Sequence, residues 1–323
     1  MTSRDTDRGP GSAGQTRHAA SLRTAISTVE GKRRYVRRLF ATIADRYDFI
    51  TRFLSYGQDR RWKRRLVRLA AIRASDRVLD LACGTGDILF EACRYGPARA
   101  IGLDLTLRMI QLAHRRNSQL PTSDARPTPK NVAVAADNSQ VPSAGARPTP
   151  DNPQLGVGNW DRNRLGVSTP VFLVGDMLAL PFRPGDFDVV TTGYGLRNVP
   201  HLSVAIREIH RVLVPGGRLL SLDFNRPGNG AVRAVYLAYL TVVGSLLGLI
   251  LHRDPDTYRY IPESIRNYPG ADGVARLLEA EGFDDVRVIR VLFGLMAIHV
   301  ARKSSISMPN AQWPMPNGVM RNA

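Results

Sequence analysis

The sequence predicts a doubly wound α/β fold, a mainly parallel sheet with helices on both faces and an antiparallel hairpin at one edge. Three observations predict it. From residue 76 onward, short apolar runs alternate with helical patterns. The first run, Arg77–Leu81, feeds a glycine-punctuated turn and then a helix. The last two runs, about 285–291 and 294–302, are joined by one short connection near Gly294, so they must pair antiparallel.

Along the chain, residues 1–21 are polar and charged with no apolar run of the secretory type, and 1–31 reads as a disordered arm. Residues 32–73 form a basic helical extension. Phe40, Ile43, Ala44 and Tyr47 are spaced for one helix face, and Trp62, Leu66 and Leu69 repeat the pattern in a second helix. After Arg77–Leu81 comes a helix to about Tyr95, a strand over Ala98–Leu103 closed by Asp104, and a helix carrying Leu107, Ile110, Gln111 and His114. Strands follow at Val171–Val174 and Phe187–Thr192. A helix over Val204–Leu213 ends at Pro215-Gly216-Gly217, a strand covers Arg218–Phe224, and a helix covers Gly273–Glu281.

Residues 117–169 interrupt the scheme. Asn117-Ser118-Gln119-Leu120-Pro121 recurs as Asn138-Ser139-Gln140-Val141-Pro142, and Ala125–Pro129 recurs as Ala146–Pro150, both at an offset of 21 residues. Two copies of a Pro-rich unit build no solenoid, so this insertion and the tail 304–323 are expected to be disordered. Residues 32–303 then make one domain. Ala234–Leu251 contains no charge over 18 residues. Because it lies between sheet elements, a span would separate the last strands from their sheet, and a buried or membrane-touching helix is expected instead.

The chain carries 45 basic and 28 acidic residues, a formal net charge of +17. The excess is concentrated: residues 1–73 hold 18 basic and 6 acidic side chains. That end suits an anionic surface, but no aromatic platform or RNA-binding motif accompanies the charge, so nucleic acid is not an expected partner. Cys83 and Cys93 are too few for a disulfide framework, and no CxxC pair offers a metal site.

The strongest motif is Val78-Leu79-Asp80-Leu81-Ala82-Cys83-Gly84-Thr85-Gly86-Asp87. Gly84 and Gly86 let a ligand approach the backbone, and Asp104, at the end of the next strand, can accept both ribose hydroxyls of a nucleoside. Leu89 stands where the dinucleotide fingerprint needs its third glycine, and the loop has no basic side chain for a pyrophosphate. The arrangement suits S-adenosyl-L-methionine, with no metal. Gly175-Asp176-Met177 ends the third strand beside the base, where Asp176 can accept the adenine amino group and the Met177 backbone can meet the ring edge.

Together these residues resemble the class I S-adenosylmethionine methyltransferases, and further motifs narrow the resemblance. Arg46-Tyr47-Asp48, Leu54-Ser55-Tyr56-Gly57 and Trp62-Lys63 look like the N-terminal signature of the ubiquinone/menaquinone C-methyltransferase family. Gly193-Tyr194-Gly195-Leu196-Arg197-Asn198-Val199 is similar to its FGLRNV stretch, and Tyr258–Ile265 to its YRYLxESI signature. The resemblance covers about residues 33–303 apart from the insertion. It implies a Rossmann-like seven-stranded sheet and ring-carbon methylation of a polyprenylated quinol, demethylmenaquinol or the methoxy-polyprenyl-benzoquinol. It also implies cofactor contacts from Thr85, Asp104, Asp176 and Met177. Gly193 departs from the family, which often has serine there.

A quinol carbon is a poor nucleophile until the phenolic proton leaves. Arg197, on the rim after the fourth strand, is the candidate to stabilise the resulting oxyanion, since guanidinium cannot act as the base. Asn198 is expected on the same oxygen, and Tyr47 is expected to orient the ring. The expected partners are the quinol, an anionic membrane surface at the cytoplasmic face of the inner membrane and, left open, a second copy of the chain. Three alternatives remain: methyl transfer to another small molecule, RNA modification signalled by steep salt-dependent binding, and a non-enzymatic scaffold that binds no S-adenosylmethionine.

Overall fold

The computed structural model describes residues 22, 24–119 and 169–305. The arm before residue 22, most of the insertion and the tail beyond 305 lie outside the described residues. Helix α1 (Val29–Ile43) starts inside the stretch expected as an arm, because the Thr28 side chain caps it by accepting from the Gly31 N–H. The basic extension then breaks twice, at the 3-10 turn Ala44–Arg46 and at Ser55–Gln58, giving α2 (Tyr47–Leu54) and α3 (Asp59–Ala70). Trp62 and Leu66 are buried on α3 as expected. Leu69 is exposed, because the face continues through Val67 and Ala70 instead.

The sheet comprises β1 (Arg77–Leu81), β2 (Arg99–Asp104), β3 (Val171–Val174), β4 (Phe187–Gly193), β5 (Leu213–Phe224), β6 (Phe283–Val291) and β7 (Met296–Lys303). Their order is β3-β2-β1-β4-β5-β7-β6. The first five are parallel, and β7 pairs antiparallel with both β5 and β6. Strand β5 begins at Leu213, five residues earlier than expected. Pro215-Gly216-Gly217 forms a bulge within it, opposite a register shift in β4, and does not end its pairing. The hairpin turn at Leu292-Phe293-Gly294 has three consecutive positive φ angles.

Alternation along each strand sends side chains to opposite faces. Val78, Val189 and Leu220 pack with α3, α4 (Asp87–Cys93) and α5 (Leu107–Gln119). Leu79, Val190 and Leu219 pack with α6 (Leu202–Val212) and α9 (Gly270–Ala280). A third layer, α1, α2, α7 (Gly230–His252) and α8 (Tyr260–Arg266), covers the carboxyl ends of the strands and has small cores of its own. Helix α7 is long and apolar enough to cross a membrane by length and composition, with a third of its apolar window buried in the molecule. It buries Tyr236, Leu240, Gly244, Leu247 and Gly248 on one face. Gly244 and Gly248 let the segment 254–258 close in: a Cβ on Gly248 would lie 2.4 Å from the Asp254 carbonyl oxygen.

Candidate active site

The strand order reverses direction at β1, with β2 on one side and β4 on the other, which opens a crevice at their carboxyl ends. The loop from Ala82 to Gly86 borders it, with positive φ at Ala82, Gly84 and Gly86. A Cβ on Gly86 would come within 2.8 Å of the Phe90 ring and 3.0 Å of Phe172, so this turn has room only for glycine. Asp104 closes β2 beneath the loop. It accepts from the Gly84 N–H at 2.9 Å and the Thr106 N–H at 2.8 Å, while burial pushes its carboxyl up. Asp80, fully buried, accepts from the Thr191 hydroxyl at 2.7 Å on one oxygen. Its other oxygen has no hydrogen-bond partner among the described residues. Burial pushes this carboxyl up to about 7. An orphan carboxylate oxygen beside a glycine loop is suited to a cationic ligand, so the loop fits S-adenosylmethionine, which carries a sulfonium and an ammonium.

The N-terminal helices reach over this loop. The Thr85 hydroxyl donates to Asp48 at 2.7 Å and receives from Arg116 at 3.0 Å. Asp176 is ion-paired with Arg33 of α1 at 2.8 Å and accepts from the Leu178 N–H at 2.9 Å. Lys32 of α1 donates to the carbonyls of Arg197 (3.2 Å) and Val199 (2.7 Å). Burial, reinforced by the Arg197 charge and opposed by Asp223, pulls Lys32 down to about 8. Met177 is buried, and its methyl would lie 3.4 Å from a Cβ on Gly195, so it bridges the β3 and β4 ends.

Behind the loop lies a cavity holding about 850 Å³ of space free of atoms, its open mouth included. Tyr47 joins the two regions: it lines the cavity, and its ring is 3.7 Å from where a Gly84 Cβ would stand. Burial, against the nearby Lys63 charge, pushes its phenol up to about 12. The walls are aliphatic and aromatic, from Leu39 and Ile43 on α1 to Leu240 on α7, and seven tyrosines take part. Among the described residues, Arg197 is the one cation in the lining. Its Nε lies 3.1 Å from Asp223 Oδ1, out of line for a hydrogen bond, so that contact is ionic. Its Nη1 donates to Ser264 at 2.7 Å and to Asn198 Oδ1 at 3.3 Å. Tyr260, also in the lining, has a buried hydroxyl with no partner among the described residues. Tyr56 and Tyr239 stack at 6.1 Å, and the exposure of Tyr56 marks the mouth.

The sequence profile of the ubiE/COQ5 methyltransferase family matches residues 28–128 and 152–303. The chain belongs to this family. It is 35% identical over 263 residues to a demethylmenaquinone methyltransferase of Thermus thermophilus, which covers 81% of this chain and 98% of that one. It is 34% identical to a ubiquinone/menaquinone biosynthesis C-methyltransferase of Dinoroseobacter shibae, with 82% and 88% covered. The fold is that of a solved S-adenosylmethionine-dependent methyltransferase of Thermotoga maritima, at a TM-score of 0.50 and 15% identity, over 83% of this chain and all of that one. This chain is therefore an S-adenosylmethionine-dependent C-methyltransferase of the UbiE type, and its sheet has the class I methyltransferase form.

Within this methyltransferase the residues singled out from sequence fall into two groups. Gly84, Thr85, Gly86, Asp104, Asp176 and Met177 surround the crevice, and Tyr47 and Arg197 line the cavity. Asn198 does not line it, because its amide nitrogen donates to the Tyr194 carbonyl at 2.7 Å and its oxygen receives from Arg197. At Gly193, the Ile88 δ-methyl fills the space of a side chain, 2.6 Å from a would-be Cβ. His299 ties β7 to Ser221 and to the Ala271 carbonyl within the core. Cys83 is buried, and burial pushes its thiol up.

Sequence reasoning missed Asp80, Lys32, Arg33, Asp48, Asp59, Tyr194 and Tyr260 as site residues. Four of them (Asp80, Asp48, Tyr194 and Tyr260) lie inside motifs that were already visible. What was missing was the direction of each side chain.

Proposed function

We propose that this methyltransferase acts on the ring carbon of a polyprenylated quinol, demethylmenaquinol in the first instance, and takes it from an anionic bilayer. The observation that carries the reading is the cavity: an apolar, aromatic-lined chamber with a single buried guanidinium and an exposed apolar rim. A flat quinol ring fits such walls, and its oxygen needs a fixed positive charge when it ionises. Arg197 provides that charge, held in place by Asp223 and Ser264. The unpartnered Tyr260 hydroxyl is a second donor for a quinol oxygen. Bound S-adenosylmethionine supplies the methyl group. The protein's part is to exclude water, align the ring carbon and lower the charge barrier.

The prenyl tail needs an exit. The exposed apolar side chains include Phe49 and Phe53 on α2, Val242, Leu246 and Ile250 on α7, and the fully exposed Phe293 of the hairpin turn. Arg46, Arg52 and Arg253 are exposed within three residues of Phe49, Phe53 and Ile250 in the chain. Apolar side chains flanked by arginines suit insertion at an anionic lipid interface. The names of the relatives, a demethylmenaquinone and a ubiquinone/menaquinone methyltransferase, support the quinol.

The test is to incubate the purified chain with S-adenosylmethionine and reduced demethylmenaquinone or methoxy-polyprenyl-benzoquinol, and to follow product mass. A gain of one methyl on demethylmenaquinol is expected. No gain on either ring, with cofactor binding intact, would overturn the reading.

A further inference from the structure

A guanidinium is no general base, so the site still needs a group to take the phenolic proton. Asp223, the other acid at this end, is committed to Arg197. Behind the opposite wall lies a different set of groups. Tyr194 lines the cavity, and its hydroxyl donates to Asp59 Oδ1 at 2.7 Å. Asp59 opens α3 and does not itself line the cavity. Its Oδ2 lies 2.7 Å from Lys63 Nζ, and Lys63 also meets Asp87 Oδ2 at 2.9 Å. Asp59, Lys63 and Tyr194 are all buried. Tyr194 sits at a positive φ of 60°, uncommon for a residue with a side chain, which aims its ring at α3. A buried Asp–Lys pair is weak evidence for stability. One that ends on a phenol in the wall of a substrate chamber is better explained by proton transfer.

We propose that Tyr194 and Asp59 form the proton relay of the reaction. The quinol O–H donates to Tyr194 Oη, Tyr194 passes its own hydrogen to Asp59 Oδ1, and Lys63 holds Asp59 in place through Oδ2. The inference rests on the quinol reading above. The proton balance closes. One phenolic hydrogen enters the relay and leaves to solvent after turnover. The ring carbon gains a methyl from the family's donor, and the hydrogen it carried moves to the quinol oxygen, restoring the aromatic ring. Tyr194 is the residue that touches substrate, and Asp59 and Lys63 act through it. The FGLRNV stretch has phenylalanine where this chain has Tyr194, so the relay belongs to this chain and not to the motif. The charged and titratable groups facing it are Lys63 on α3, Asp87 on α4, Tyr47 on α2, Asp80 on β1, and Arg197 with Asp223 across the cavity.

The test uses the full chain, S-adenosylmethionine and reduced demethylmenaquinone in detergent micelles, with kcat and KM measured across pH for wild type, Y194F, D59N and D59E. Calorimetric S-adenosylmethionine affinity serves as the check on folding. Y194F and D59N are expected to lower kcat by about 10²-fold at neutral pH, with KM and cofactor affinity little changed. D59E is expected to recover most of the loss. Activity of D59N is expected to climb as pH approaches the ordinary phenol range near about 10, where the quinol ionises unaided. A merely structural Asp59 would not show that rescue. If Y194F matches wild type, or if D59N loses activity and shows no recovery at high pH, the relay is wrong while the quinol reading stands. If wild type itself transfers no methyl, the quinol reading fails and takes the relay with it.

Discussion

Arg197 and Asp223 form a buried ion pair, Nε to Oδ1 at 3.1 Å, and Asp223 also accepts from the Arg197 backbone N–H at 3.1 Å. One carboxylate thus fixes both the side chain and the backbone of the residue that carries the only positive charge among the described residues of the cavity lining. The Arg197 guanidinium also lies over the Phe224 ring, 4.9 Å from its centroid. Removing the arginine strands a buried carboxylate. Arg197→Ala is expected to cost about 3–5 kcal/mol of stability as well as activity. Arg197→Ala combined with Asp223→Ala is expected to regain part of the stability and none of the activity. Urea titrations and turnover on the same preparations separate the two effects; a double variant no more stable than the single one would contradict this account.

Lys32 gives a pH signature. Its folded value, about 8, lies below the ordinary 10.5 because of burial first and Arg197 second. Between those values the unfolded chain holds a proton that the folded chain has released. Stability should therefore rise with pH from about 8 to 10.5 and lose this contribution below that window. In Lys32→Met that part of the slope is expected to vanish. Denaturant midpoints measured across the window decide the matter, and an unchanged slope in the variant would refute it.

Two glycines with similar backbone angles should respond differently. Gly185 (φ +69°) has nothing within 4 Å of a would-be Cβ, so alanine there meets only the left-handed penalty, about 1–2 kcal/mol. Gly86 (φ +89°) meets Phe90 and Phe172 as well, which adds roughly 1–3 kcal/mol of overpacking. Gly86→Ala should also weaken S-adenosylmethionine binding, whereas Gly185→Ala should not. Calorimetric affinity and melting of both variants provide the comparison.

The exposed rim predicts lipid binding without a cost to folding. Phe293→Asp and Phe53→Asp remove apolar side chains that face solvent, so stability should stay within about 0.5 kcal/mol. Flotation with vesicles containing anionic lipid should fall roughly tenfold for the pair. Equal flotation of variant and wild type would remove this surface from the membrane reading.

Much of the fold was legible in the chain. Strands β1 to β4 and the hairpin announced themselves through apolar runs and glycine punctuation, because a buried parallel strand must be apolar on both faces. The cofactor loop was legible for the same reason, since a backbone approached closely by a ligand needs glycine. Boundaries failed where tertiary pairing overrode local chemistry. Pro215-Gly216-Gly217 reads as a stop, yet β4 holds this stretch in the sheet as a bulge. Leu69 departs from the expected face of α3 because β5 and α4, lying across it, decide which residues are covered.

The site divided in the same way. The sequence by itself determined the family, the methyl donor, the glycine loop and the place of Arg197 as a charge on the rim of the strand ends; its burial is a tertiary result. These follow from residue types at short spacing, where chain geometry leaves little freedom. Only the tertiary structure decided that Asn198 turns away from the cavity, that Arg33 and Asp48 reach across to Asp176 and Thr85, and that Tyr194 meets Asp59. The last two residues are 135 positions apart. No local pattern encodes such a contact. It arises when the N-terminal helices fold back over the carboxyl ends of the strands and bring distant side chains within hydrogen-bond range.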